Sequence, residues 1–345
     1  MSTTRLIRTT VAAALLALCA FAPAASAASS TRAVVLVSGV AATTPFTTPT
    51  QACETGYSAG NTWAFLRDYL VDRGYQVYTA PATVGGSAVV ETTDPYAGPF
   101  SDCPRQLSAR MTSNAIGTVD QSAANVQRFV QYLHDRYGVK SVDIVGHSLG
   151  GLIGRAAIRE VRYNHVPVRV RSYTTVGSPW DGAMLADPLK PNKPLSACDG
   201  LAVCEGFLKD LLPVPGIGML VANLAPANTL VWDSYQAGAL DGIPVTMIGG
   251  SYFTKPGGIK SKWPNDGAIQ LRSSLGTETP DAVAPHRTCV SFPLTHSLFV
   301  SKAIGAPDAT ALTWNAEVGA TITKAINSSG TALKQKNRVG CPPKP

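Results

Sequence analysis

Among the side chains that could do covalent chemistry, one serine stands in a context that suits it. Gly146-His147-Ser148-Leu149-Gly150-Gly151 has the pattern G-x-S-x-G; the strand-like run Val142-Asp143-Ile144-Val145 precedes it and a helical pattern from Leu149 to Tyr163 follows. A serine hydroxyl attacks a carbonyl poorly unless a base takes its proton, and a sharp strand-to-helix turn exposes it to base and substrate together. Glycines on either side allow that turn to close. A second match, Gly56-Tyr57-Ser58-Ala59-Gly60, follows Cys53-Glu54-Thr55, which is no strand, and precedes a helix cap. Ser58 reads as loop chemistry, and Ser148 is the expected nucleophile.

The base, and the acid that orients it, should follow on loops after later strands, in the order serine, acid, histidine. Of the five histidines, His134 lies in a helical pattern, His147 inside the turn and His165 between a helix and a strand. His296, in Phe292-Pro293-Leu294-Thr295-His296-Ser297, comes just after the last strand pattern, where the base belongs. His286, at the start of that pattern, is the alternative. Asp266, in Trp263-Pro264-Asn265-Asp266-Gly267, lies downstream of the strand Val245–Ile248 and is the expected acid. Asp233, Asp241 and Asp281 compete; Asp241 precedes the strand and Asp281 sits in a Pro-rich loop, which suits turns better. A developing oxyanion needs two N–H donors. Leu149, at the helix start, and Val40, in the Ser38-Gly39-Val40 loop after the first strand, are placed to supply them.

Apolar runs alternating with amphipathic helical patterns place these residues on an α/β fold with a mostly parallel sheet. Strands are expected at Ala33–Val37, Gln76–Thr79, Val142–Val145, Val168–Val176, Val245–Ile248 and Cys289–Phe292. Helices are expected from an Asn61 cap to Arg73, over Val119–Tyr137 with Gly138 as its stop, and over Leu149–Tyr163. Residues 183–240 break the rhythm with six prolines, and Leu211–Trp232 carries no charge. Read by hydropathy alone that stretch is a membrane span. The prolines, glycines and asparagines within it favour a cap or lid inserted over one end of the sheet instead.

The first residues read as an export signal. Arg5 and Arg8 precede the apolar run Val11–Phe21, and Ala25-Ser26-Ala27 offers a signal-peptidase site, so residues 1–27 are expected to leave a single catalytic domain of residues 28–345. Eleven apolar residues are too few for a permanent anchor, which needs about 20. Cys19 raises a lipoprotein alternative, disfavoured by Leu18 before it. The other six cysteines form an even set suited to an oxidising compartment, and chain order pairs them as Cys53–Cys103, Cys198–Cys204 and Cys289–Cys341. Zinc is the rival use, but no C-x-x-C spacing exists. With 45% hydrophobic and 15% charged residues a large core is within reach, which excludes wholesale disorder. The formal charge of +7 is scattered, without the basic blocks of a nucleic-acid reader.

Taken together, these segments resemble the secreted bacterial lipases of the α/β-hydrolase superfamily, the class 2 lipases in particular. The likeness runs through Ser38-Gly39, Asn61–Val77, Val142–Gly151, Val176-Gly177-Ser178-Pro179-Trp180-Asp181-Gly182, Asn265-Asp266-Gly267 and His296. It implies an α/β-hydrolase fold and a secreted serine carboxylic-ester hydrolase without a cofactor. The catalytic groups would be Ser148, Asp266 and His296, with Val40 and Leu149 as oxyanion donors. Its partner would be an apolar ester, at a lipid–water interface, with no nucleic acid and no membrane span. An acyltransferase or a polyester depolymerase would use the same groups. Two positions depart from the family: Ser38-Gly39 replaces a usual His-Gly, and Trp180 stands where a histidine or other polar residue is common. Some members hold a structural calcium, for which no convincing pair of carboxylates is evident here.

Overall fold

Runs of β-branched and aliphatic residues build the central sheet of the computed structural model, which describes residues 31–49, 62–88, 107–186, 195–218, 224–329 and 337–343. The expected leader, Ser58, Asn61 and the Cys53–Cys103 pair lie outside the described residues. In chain order the strands are β1 (Arg32–Val37), β2 (Val77–Thr79), β3 (Ala82–Thr83), β4 (Ser113–Asn114), β5 (Ser141–His147), β6 (Arg169–Val176), β7 (Val245–Gly250), β8 (His286–Phe292) and β9 (Asn337–Val339). The helices are α1 (Ala64–Val71), α2 (Val119–Tyr137), α3 (Leu149–Tyr163), α4 (Ala202–Leu211), α5 (Pro226–Ser234), α6 (Leu271–Ser274), α7 (Leu298–Ala303) and α8 (Ala316–Ser328).

Seven strands join in the order β2-β1-β5-β6-β7-β8-β9, and every pairing is parallel. Because side chains alternate along a strand, β1 sends Val35 and Val37 to one face and Val34 and Leu36 to the other. On the first face they join Val126, Phe129, Val130 and Leu133 of α2 and the buried side of α3. On the second they meet Leu66 and Leu70 of α1 and Val318, Ile322 and Ile326 of α8. Helices on both faces explain why the strands read as nearly continuous apolar runs. A parallel sheet wrapped in this way, with a tight turn between β5 and α3, is the α/β-hydrolase fold.

The exception within β5 is Asp143, fully buried in an apolar run. Its carboxylate accepts from Arg32 Nε at 2.6 Å and from Ser172 Oγ at 2.6 Å. Arg32 also donates to the carbonyl of Ile326 at 2.6 Å and to Ser329 Oγ at 2.7 Å, which ties the start of β1 to the end of α8. The charge is thus paired and hydrogen-bonded, the condition for burying it.

Helices α2 and α3 run as the sequence predicts. Thr118 Oγ1 caps α2 by accepting the Gln121 N–H, and Gly138 ends it with a φ of 68°. Helix α1 is shorter than expected: it opens at Ala64 after Trp63, and turns off at Val71. Strand β9 was not expected; its three residues, Asn-Arg-Val, carry no pattern of their own, and they pair with β8 just before Cys341, which is bonded to Cys289 of that strand.

Between β6 and β7 the described residues include α4 and α5. The Cys198–Cys204 bond closes the turn before α4, and Cys204, Leu208 and Leu211 face the main core. Among the described residues no helix is long and apolar enough to cross a membrane.

Candidate active site

The turn from β5 into α3 places Ser148 in a backbone conformation that few side chains adopt, φ 55° and ψ −131°. Its N–H donates to the Val176 carbonyl at 2.9 Å, which pins the turn to the end of β6. The flanking glycines are steric requirements. A Cβ on Gly146 would stand 2.5 Å from the Gly150 carbonyl oxygen, and one on Gly150 would overlap the carbonyls of Val37 and Ser38. Strain of this kind persists only when the surroundings over-determine it. Here sheet, helix and the β1 loop all close on the turn.

Asp266 lies on the loop that follows β7 and is fully buried. Its Oδ1 accepts the N–H groups of Ala268 at 3.0 Å and Ile269 at 2.7 Å, and its Oδ2 accepts Nδ1–H of His296 at 2.8 Å. The His296 N–H donates to the Asp266 carbonyl at 2.8 Å, so backbone and side chain both join the two loops. Imidazole Nδ1 is thereby the protonated nitrogen and Nε2 carries the free lone pair.

Ser148 and His296 reach the same edge through their neighbours. Gly177, the residue after the Val176 that holds Ser148, packs so closely that a Cβ there would be 3.0 Å from His296 Nδ1 and 3.1 Å from Asp266 Oδ2. No hydrogen bond joins the Ser148 hydroxyl to His296 among the described residues. Such bonds are commonly long before substrate is bound. The alternative base, His286, opens β8 at the opposite end of a parallel strand, about 20 Å away at 3.3 Å per residue. Of the rival acids, Asp233 is paired to Arg155 and Asp281 to Arg287.

The loop after β1 closes over the serine. A Cβ on Gly39 would lie 2.6 Å from Ser148 Cβ and 3.2 Å from its Oγ, so only glycine fits there. Ser38, at the position of the expected family histidine, is buried; its Oγ accepts Nε1–H of Trp63 at 3.1 Å and is 2.8 Å from Thr44 Oγ1. Ala41 has a φ of 55° and donates to the Ala115 carbonyl at 3.1 Å. These contacts hold Val40 beside the turn, and among the described residues neither its N–H nor that of Leu149 has a hydrogen-bond partner.

Trp180, the other departure, is buried with its Nε1–H donating to Thr175 Oγ1 at 2.8 Å. Beside it lies a group that no motif announces. The Arg155 guanidinium, fully buried on α3, is sandwiched between Trp180 at 4.6 Å and Trp232 of α5 at 4.5 Å, and pairs with Asp233 at 2.7 Å. A lone charge on the apolar side of the helix after Ser148 was the available signal for it. Asp199, between the two bonded cysteines, accepts from Trp263 Nε1 at 2.7 Å and lies 3.2 Å from Lys255 Nζ; both belong to the segment leading from β7 to Asp266. Among the described residues no cluster of three or more metal-ligating side chains occurs.

A domain of unknown function (DUF7379) matches residues 118–255, less than half of the chain. A search of curated proteins finds no match. Among solved structures the chain is similar to a Bacillus licheniformis lipase in its mature form, with 14% identity, 70% of this chain and 78% of that one covered, and a TM-score of 0.44. It is also similar to a Pyrococcus furiosus esterase, with 13% identity, 86% and 83% covered and a TM-score of 0.44. A third is the 2-hydroxy-6-oxo-6-phenylhexa-2,4-dienoate hydrolase of a Rhodococcus species, with 15% identity, 86% and 90% covered and a TM-score of 0.44. Likeness at this level says nothing of substrate or reaction.

Proposed function

We propose that this chain is a secreted serine carboxylic-ester hydrolase of lipase or esterase type, acting on lipid or other apolar esters. The observation that carries the reading is the buried Asp266–His296 hydrogen bond of 2.8 Å, set at the same sheet edge as a serine on a strained strand-to-helix turn. In this reading Ser148 Oγ attacks the ester carbonyl as Nε2 of His296 takes its proton. Asp266 holds the imidazole in that tautomer and stabilises the imidazolium. The amides of Val40 and Leu149 receive the oxyanion, each such donor being worth about 10²–10³ in rate. His296 then protonates the departing alcohol, and water, deprotonated by the same imidazole, releases the acid from the acyl-enzyme. Residues 183–240 act as the cap over the apolar acyl group. The leader at residues 1–27 and the even cysteine set support export.

The decisive experiment is fluorophosphonate labelling with mass-spectrometric location of the adduct, alongside p-nitrophenyl ester assays of the S148A variant. One adduct on Ser148 and a loss of at least about 10³-fold in kcat are expected. An adduct elsewhere, or turnover undiminished in S148A, overturns the reading.

A further inference from the structure

The residue before the serine is a histidine that the proposed chemistry does not use. His147 is 4% exposed, and its imidazole lies between two parts of the site. On one side its Nε2 is 3.0 Å from the backbone carbonyl oxygen of His296. A carbonyl only accepts, so Nε2 carries the proton and donates. The two imidazole rings are 4.7 Å apart between centroids, at 41°. On the other side His147 meets the Trp63 ring edge-on, 6.1 Å between centroids, and Trp63 donates its indole N–H to Ser38 on the loop that carries Val40.

We propose that His147 is a positioning residue that fixes His296 relative to Ser148. The inference rests on the hydrolytic reading and assigns a role to a residue outside the three expected groups. The backbone of His296 is held from both directions: its N–H donates to the Asp266 carbonyl at 2.8 Å, and its C=O accepts from His147 at 3.0 Å. The first bond links the base to the acid loop. The second is a direct hydrogen bond from the β5–α3 turn to the base's own backbone, and its donor is one peptide bond away from the nucleophile. A proton transfer between Ser148 and His296 depends on their separation, and a displacement of about 1 Å can cost about 10²-fold in rate. Burial, and then the neighbouring imidazole, hold His147 well below the usual histidine range. It therefore stays neutral while His296 gains its proton, and no second charge opposes the imidazolium.

Two substitutions separate a hydrogen-bonding role from mere space filling. H147F keeps a ring against Trp63 and removes the donor; H147Q gives up the ring and keeps a donor of similar reach. For H147F the expected result is a fall of about 10- to 100-fold in kcat for p-nitrophenyl butyrate, with KM within about twofold and a matching fall in the fluorophosphonate labelling rate of Ser148. H147Q is expected to recover at least about tenfold of that loss. H147F as fast as the wild type, or H147Q as slow as H147F, overturns the proposal. Should H147F fail to fold, H147Q alone decides: a kcat within about threefold of the wild type supports the role and a tenfold loss refutes it. A wild-type protein that does not label at Ser148 sinks the hydrolytic reading and this one together, whereas a labelled wild type beside an unaffected H147F sinks only this one.

Discussion

Asp181 shows how much a single carboxyl group can cost. It follows Trp180 in the loop after β6, and its oxygens accept the Glu278 N–H at 3.0 Å and the Thr279 hydroxyl at 2.7 Å. Burial pushes its pKa up to about 6 in spite of those bonds, and the charges of Glu278 and Asp233 add to the effect. The folded protein therefore keeps the proton over a range in which the unfolded chain, with a carboxyl of ordinary pKa 3.8, has released it. It follows that stability falls as pH rises from about 4 to about 6, and the penalty persists above that range. The D181N variant keeps an oxygen for the Glu278 N–H, turns its NH2 to the Thr279 hydroxyl, which can accept as well as donate, and cannot ionise. Its Tm should fall less than that of the wild type between pH 4.5 and 7.5, measured by calorimetry. Parallel Tm curves would show that Asp181 is not the source.

At the scale of elements, α5 is joined to the helix behind Ser148 by one buried charge. Among the described residues Arg155 is the only basic group paired with Asp233, and its Nε and Nη1 have no hydrogen-bond partner. Stacking between two indoles offsets part of the desolvation of the guanidinium. Taking away one member of such a pair leaves the other buried and uncompensated, at about 3–5 kcal/mol, whereas replacing both by apolar groups is often neutral. R155M should accordingly lose about that much in urea unfolding, and R155M/D233L should regain most of it. Equal losses in the single and double variants would mean that packing against Trp180 and Trp232, not charge, joins the two helices. The same contrast explains what could be read in advance. Helices α2 and α3 declare themselves locally, through their apolar stripes and the Gly138 stop. Arg155 and Asp233 are 78 residues apart, and nothing near either one names the other. His147 is hidden for the same reason, since its partner is a backbone carbonyl 149 residues away. That Asp266 and His296 come together was legible because each lies on the segment that follows a strand whose own pattern is plain.

For the whole molecule, the bond between Cys289 and Cys341 links β8 to the residues just after the last strand of the sheet. Strand β9 is three residues long and borders the sheet at β8. A crosslink spanning 52 residues restricts the unfolded chain by about 4 kcal/mol in the loop-entropy account. The C289A/C341A variant should lose about that much in guanidinium unfolding, and the amides of Asn337–Val339 should lose their hydrogen-exchange protection. An unchanged midpoint together with retained protection would show that β9 holds by its ladder alone. Strand β9 also marks the limit of pattern reading: three residues are too few to show a period, and what lies beside them is a covalent link to β8 that no local pattern announces.

All seven strands point the same way, so the polypeptide enters the sheet at Arg32 on one rim while Ser148, Asp266 and His296 crowd the other. Anything spliced ahead of Arg32, whether a linker, an affinity handle or a graft onto a bead, leaves from the far side. Material immobilised in that way would present the rim that carries Ser148 and His296 outward, to the bulk liquid.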